Sequence, residues 1–75
     1  MKLILINWVD SSSSDGWQYL DSAKEHHPSN CRTVGWLLTK TKDYVTVAAT
    51  QCDSELWSQL MSIPRKCITN IRIIE

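Results

Sequence analysis

The chain has no surplus charge: eight basic and eight acidic residues cancel over 75 positions. Tight, sequence-independent binding to a polyanion draws on released counterions, and so on an excess of Lys and Arg. Its absence disfavours long nucleic acid as a partner, while a local patch can still take a short or cyclic nucleotide. The apolar run at residues 3–6 is far too short to cross a bilayer, so no membrane partner is expected. Cysteine is scarce and unpaired. Cys31, Cys52 and Cys67 are odd in number and lack CxxC spacing, and Met1-Lys2 leads straight into a strand-like segment with no signal-peptide pattern. Reduced thiols in the cytoplasm are therefore the expectation, rather than a disulfide framework. A zinc site would have to gather His26 or His27 with scattered cysteines, without the close pairs such sites use, so neither a metal nor another cofactor is expected.

Phenylalanine is missing altogether, whereas tryptophan occurs four times, as Trp8, Trp17, Trp36 and Trp57. An indole N–H wants a hydrogen-bond partner, which makes Trp an awkward core filler and a frequent binding-surface residue; about half of the four are expected to be exposed. A chain of this length forms one domain, residues 1–75, and buries a modest share of its surface. Self-association is the expected outside support.

The clearest pattern lies in residues 33–50, which read as a β-hairpin. Val34, Trp36 and Leu38 alternate with Thr33, Gly35, Leu37 and Thr39 on the first arm; Val45, Val47 and Ala49 alternate with Tyr44, Thr46, Ala48 and Thr50 on the second. The polar stretch 40–43 is the only place to turn. Gly35 inside a strand marks a bend or a close backbone approach. Residues 2–10 form a first strand with apolar residues on both faces, Leu3 and Leu5 against Ile4 and Ile6. This predicts burial on both sides, by the following helix or by another subunit.

A serine run, residues 11–14, leads to Asp15 and Gly16 and then to Trp17, Leu20 and Ala23 at helical spacing. Asp15 and Gln18 have the form of a capping box, and the spacing predicts a helix over 17–26 that Pro28 ends. The serine loop is either a flexible connection or an anion seat at a helix N-terminus. For residues 53–63 two periods compete. Alternation gives a strand over 56–63, while Leu56, Trp57, Leu60 and Met61 make a helical stripe over 53–61. Ile63-Pro64-Arg65-Lys66 is a corner with one short turn of tight helix, and residues 67–74 close the chain as a strand.

Five strands, a glycine bend in the second and an Ile-Pro-Arg corner before an Ile-rich terminal strand resemble the Sm-like small β-barrel. Gly35-Trp36-Leu37-Leu38, Asp43-Tyr44-Val45-Thr46-Val47, Ile63-Pro64-Arg65 and Ile68 with Ile71 carry the likeness. It implies a mainly β fold, a strongly curved five-stranded barrel, into which the helix read from spacing is inserted between strands 1 and 2. That helix and the missing RNA-contacting loop signatures depart from the family, so its RNA binding is not carried across. The whole-chain pattern, WVDSSSSDGW followed by CRTVGWLL, DYVTVAAT and IPRKCI, also resembles small uncharacterised accessory proteins of bacteriophages. That likeness implies a role against host defence in the host cytoplasm.

Catalysis needs a nucleophile or base with an orienting partner, and no spacing brings Cys31 to His26 or His27, or a serine to His26, for a stated reason. A non-catalytic homo-oligomer that captures a nucleotide-like ligand is the leading expectation. Trp8, Trp17 and Trp36 would stack a base; Ser11, Ser12 and Thr50 would hold ribose or phosphate; Arg65 and Lys66 would neutralise charge; Asp10 would accept from a ribose hydroxyl or base amine. The alternatives are an interaction module that masks a host protein through exposed Trp and strand edges, or a short-RNA binder.

Overall fold

The structure is a computed structural model that describes residues 1–53 and 55–75. Ser54, within the polar loop expected ahead of the fourth strand, lies outside the described residues. The fold is mainly β: β1 (Leu3–Asp10), β2 (Ser29–Lys40), β3 (Tyr44–Gln51), β4 (Trp57–Pro64) and β5 (Ile68–Ile73), with helix α1 (Leu20–Ala23) between β1 and β2. The five strands form one antiparallel sheet in the order β4-β3-β2-β1-β5. Residues 57–64 are strand, because ladder bonds to β3 along their length outweigh a local helical stripe that has no surface to face.

The sheet curls because β2 serves two neighbours with its two halves. Residues 29–36 pair with β1 and residues 36–40 with β3. At the handover sits Gly35, where an added Cβ would lie 2.9 Å from the Ala48 carbonyl oxygen and 3.1 Å from Val47 Cβ. Only a residue without a side chain lets β3 approach β2 this closely. A register shift between Leu37 and Thr39 adds twist just beyond it. The turn that follows is tied by Thr41, whose Oγ1 accepts from the amides of Asp43 and Tyr44 at 3.1 and 3.0 Å.

Curling brings strands that are not neighbours into one core. Ile4 and Ile6 of β1 pack with Val45 and Val47 of β3 and Ile63 of β4, flanked by Trp8, Leu37, Cys67, Ile68 and Ile71. The buried face of β1 is thus that of Ile4 and Ile6, and Leu3, Leu5 and Val9 are half-buried on the other. A 3-10 turn at Arg65–Cys67 carries the chain from β4 to β5, the two sheet edges. Arg65 fixes it, its backbone amide donating to the Asp43 carbonyl and its Nε to the Thr41 carbonyl, each at 2.9 Å. No ladder joins β4 to β5 among the described residues, so the sheet stays open.

The helix is much shorter than its spacing predicts. It spans four residues instead of 17–26, starts from Tyr19 with no side-chain cap, and buries nothing. The Asp15–Gln18 capping box does not form; Gln18 Nε2 donates to Ser14 Oγ at 2.9 Å instead. Helices draw most of their stability from a packed face, and Trp17, Leu20 and Ala23 have none, so one turn survives. Nor does α1 cover the second face of β1, one of the two coverings the sequence suggests. Residues 11–28 form an arm in which Trp17 is 104%, Tyr19 89% and Leu20 68% exposed. The radius of gyration is 16.0 Å, against about 11 Å for a compact domain of this length.

Gly35→Ala is expected to cost about 2 kcal/mol or more, the scale of overpacking against a backbone that cannot retreat. The readout is a lower urea midpoint at unchanged slope. Gly16→Ala, where a Cβ meets nothing within 4 Å, is expected to stay within about 0.5 kcal/mol of wild type.

Candidate functional site

Trp8, near the end of β1, points to the core side, and its Nε1 donates to Thr33 Oγ1 at 3.0 Å. The indole N–H is therefore satisfied inside the fold, leaving ring surface alone for contact. Asp10 closes the strand, its Oδ1 accepting from the Ser11 amide at 2.9 Å. Ser12 Oγ donates to the His27 carbonyl at 2.6 Å and lies 3.4 Å from His26 Nε2. Its proton thus goes to a backbone oxygen rather than to the imidazole, and the contact pins the two ends of the arm together.

Trp17 stands in the arm with no cover. Trp36 lies on the sheet face away from Gly35 and meets Trp57 edge-on, ring centres 5.9 Å apart at 65°. Three of the four tryptophans are half-buried and one is fully exposed, fewer open rings than the sequence suggests. Thr50 Oγ1 donates to Gln59 Oε1 at 2.7 Å. Gln59 has φ 57°, and this left-handed residue interrupts the side-chain alternation expected for β4. Arg65 is committed to the Thr41 carbonyl, and Lys66 beside it is exposed.

The structure therefore brings Asp10, Ser11 and Ser12 together at the mouth of the arm and sets Trp36 and Thr50 on other strands. A groove of about 440 Å³ among Ser14, Gly16, Trp17, Gln18, Ala23 and His26 belongs wholly to the arm. Another, of about 350 Å³, lies among Asn7, Trp8, Asn30, Cys31, Arg32 and Thr69, where β1 meets β2 and β5. Its polar residues are absent from the sequence-based set. They stand in different strands, and only the register, Asn7 opposite Arg32 and Trp8 opposite Cys31, with Thr69 at the slip of β5, assembles them. The one signal in the sequence is Asn7 itself, a carboxamide within an otherwise apolar strand. The three cysteines are free, Cys31 and Cys67 half-buried and Cys52 exposed. No helix among the described residues is long and apolar enough to cross a membrane. No known family, curated protein or solved structure matches the chain.

Arg65 and Lys66 adjoin in sequence but differ in work. Arg65→Ala is expected to destabilise by about 1.5–3 kcal/mol, since it removes a charged donor from a part-buried carbonyl. Lys66→Ala is expected to stay within about 0.5 kcal/mol; equal urea midpoints for the two variants would contradict this division.

Proposed function

We propose that the chain is a non-catalytic, self-assembling binding protein whose open sheet is completed by further copies of itself. One observation carries this reading. The accessible surface is 6065 Å², roughly 1,400 Å² above the ~4,700 Å² typical of a folded monomer of this size. A standard interface takes about 800 Å² from each partner, so the surplus suffices for one. It is also apolar in the right places. Leu56, Leu60 and Met61 are exposed on and beside β4, Ile73 and Ile74 at the end of β5, and Trp17, Tyr19 and Leu20 along the arm.

Edge strands β4 and β5 offer unpaired backbone groups to a neighbouring copy, and closure of that kind would give the Sm-like barrel character that the strand order supports. The arm docks on the apolar surface of a second copy, with Trp17 as its anchor. Exposed aromatic anchors of this type tend to carry interface energy out of proportion to their number. The biological role we propose for the assembly is to sequester a nucleotide-derived defence signal of a bacteriophage host. Its masking of a host protein is the second reading, favoured by how far the arm stands from its own sheet.

Light scattering after size exclusion is expected to give a mass at least twice 8.6 kDa. Trp17→Ala is expected to weaken association about thirty-fold, the effect of truncating one anchor worth ~2 kcal/mol, without lowering the helix- and strand-derived circular dichroism. A mass of 8.6 kDa at every concentration would overturn self-assembly. An assembly indifferent to Trp17→Ala would assign the arm to a different protein.

A further inference from the structure

The register of the sheet lines up side chains from distant parts of the chain on the face that turns away from the core. Asn7 of β1 stands opposite Arg32 of β2 and Asn70 of β5. One row along, Leu5 stands opposite Val34 and Arg72, and one row the other way Val9 stands opposite Asn30. Neighbouring strands are about 4.8 Å apart and same-face residues about 6.7 Å apart along a strand, so two guanidinium groups flank two carboxamides within a patch about 10 Å wide. Asn30, Arg32, Asn70 and Arg72 are exposed and Asn7 is half-buried. Among the described residues this face of β1, β2 and β5 carries no Asp or Glu. Asp10 falls on the opposite alternation, with Oδ1 turned to the Ser11 amide.

The β1–β5 ladder slips between Asn7 and Trp8, and Thr69, left without a ladder partner, donates through Oγ1 to the Asn7 carbonyl at 3.1 Å. The 350 Å³ groove beside that slip takes Asn7, Asn30 and Arg32 from this face together with Trp8, Cys31 and Thr69, and reaches neither Asn70 nor Arg72.

We infer that this row binds an adenine mononucleotide, its phosphate held between Arg32 and Arg72 and its base edge met by the carboxamides of Asn7 and Asn70. The chemistry selects each half. A planar guanidinium fork matches phosphate oxygens in pairs, and no carboxylate on this face competes for it. An Asn side chain presents one donor and one acceptor in the spacing of the N6 and N7 edge of adenine. Two arginines in a chain of zero net charge suit one phosphate group and not a long polyanion. The inference rests on the reading of the protein as a binder, and moves the ligand from the serine loop to the outer face of β2, β1 and β5.

The test is calorimetry with adenosine monophosphate, and separately with inorganic phosphate, on the wild type, Arg32→Gln and Asn70→Ala, with thermal melts to verify folding. The nucleotide is expected to bind about tenfold or more tightly than phosphate, the size of one good base-edge contact. Arg32→Gln should weaken both ligands about tenfold or more, and Asn70→Ala the nucleotide alone. No heat from the nucleotide, equal affinity for nucleotide and phosphate, or full affinity in folded Arg32→Gln would each overturn the site. Size exclusion on the same samples separates the two ideas: a monomer that binds the nucleotide through Arg32 sinks self-assembly and keeps the site, and an assembly that ignores it does the reverse.

Discussion

The carbonyl oxygen of Ala48 lies 2.9 Å from where a side chain on Gly35 would begin, and the rest of the fold follows from that approach. It lets β2 turn between its two neighbours, so that β1 and β3, one strand apart in the sheet, face each other through Ile4, Ile6, Val45 and Val47. A flat sheet of the same sequence would leave both sets of branched side chains on one open surface. Curvature here substitutes for a second layer, since α1 buries no residue and so supplies none.

The core won this way is small. Ile4, Ile6, Val45, Val47, Ala48 and Ile63 are its buried hydrophobic residues among those described. The same curl draws the chain ends of β4 and β5 together through the 3-10 turn without pairing the strands themselves. Two edges are left open beside apolar side chains, a combination that solitary small domains usually blunt with charge or proline. Pro64 does this at one end of β4, and Lys66 and Arg72 place charge near or on β5. Gln59 in β4 and the slip at Thr69 in β5 add irregularity, and the rest of both edges carries neither charge nor proline. In the assembly we propose, stability and protomer concentration are one quantity, because whatever binds the folded chain and not the unfolded one adds to its stability by mass action.

How far the sequence could be read depended on what each signal is measured against. The turn at residues 40–43, the bend at Gly35 and the corner at Pro64 are local in cause, set by a hydroxyl that caps its own loop, a missing side chain and a missing N–H, and all three are legible in advance. Which face of β1 is buried is not legible, since Leu3 and Leu5 are as apolar as Ile4 and Ile6; the choice belongs to side-chain packing against β3 and β4 across the core. The helix over-reached because the stripe of Trp17, Leu20 and Ala23 reads the same whether or not a surface waits for it, and in one chain none does. Site candidates chosen by residue type scattered for a related reason. Trp8, Thr50 and Arg65 carry the right groups, but Thr33, Gln59 and Thr41 already engage them. The row of Arg32, Asn7 and Asn70 has no signature along the chain, because its neighbours are separated by 25 and 63 positions and meet only across the ladder.

Edge pairing and the outer-face row use different directions of the same sheet. Ladder bonds run in its plane, through the backbone of β4 and β5, whereas Arg32, Asn7 and Asn70 stand perpendicular to it. A copy joined at an edge therefore need not cover the row. The two proposals would still be coupled, because β5 carries Asn70 and Arg72 and is itself an edge strand held on one side only. Pairing its free side would order the strand before a ligand arrives, so part of the conformational entropy lost on binding would already be spent by assembly. The coupling so predicted has a definite sign. By linkage a ligand on the row would strengthen the proposed assembly by the factor that the assembly would strengthen the ligand, so that closure of the sheet and occupancy of the row would rise together.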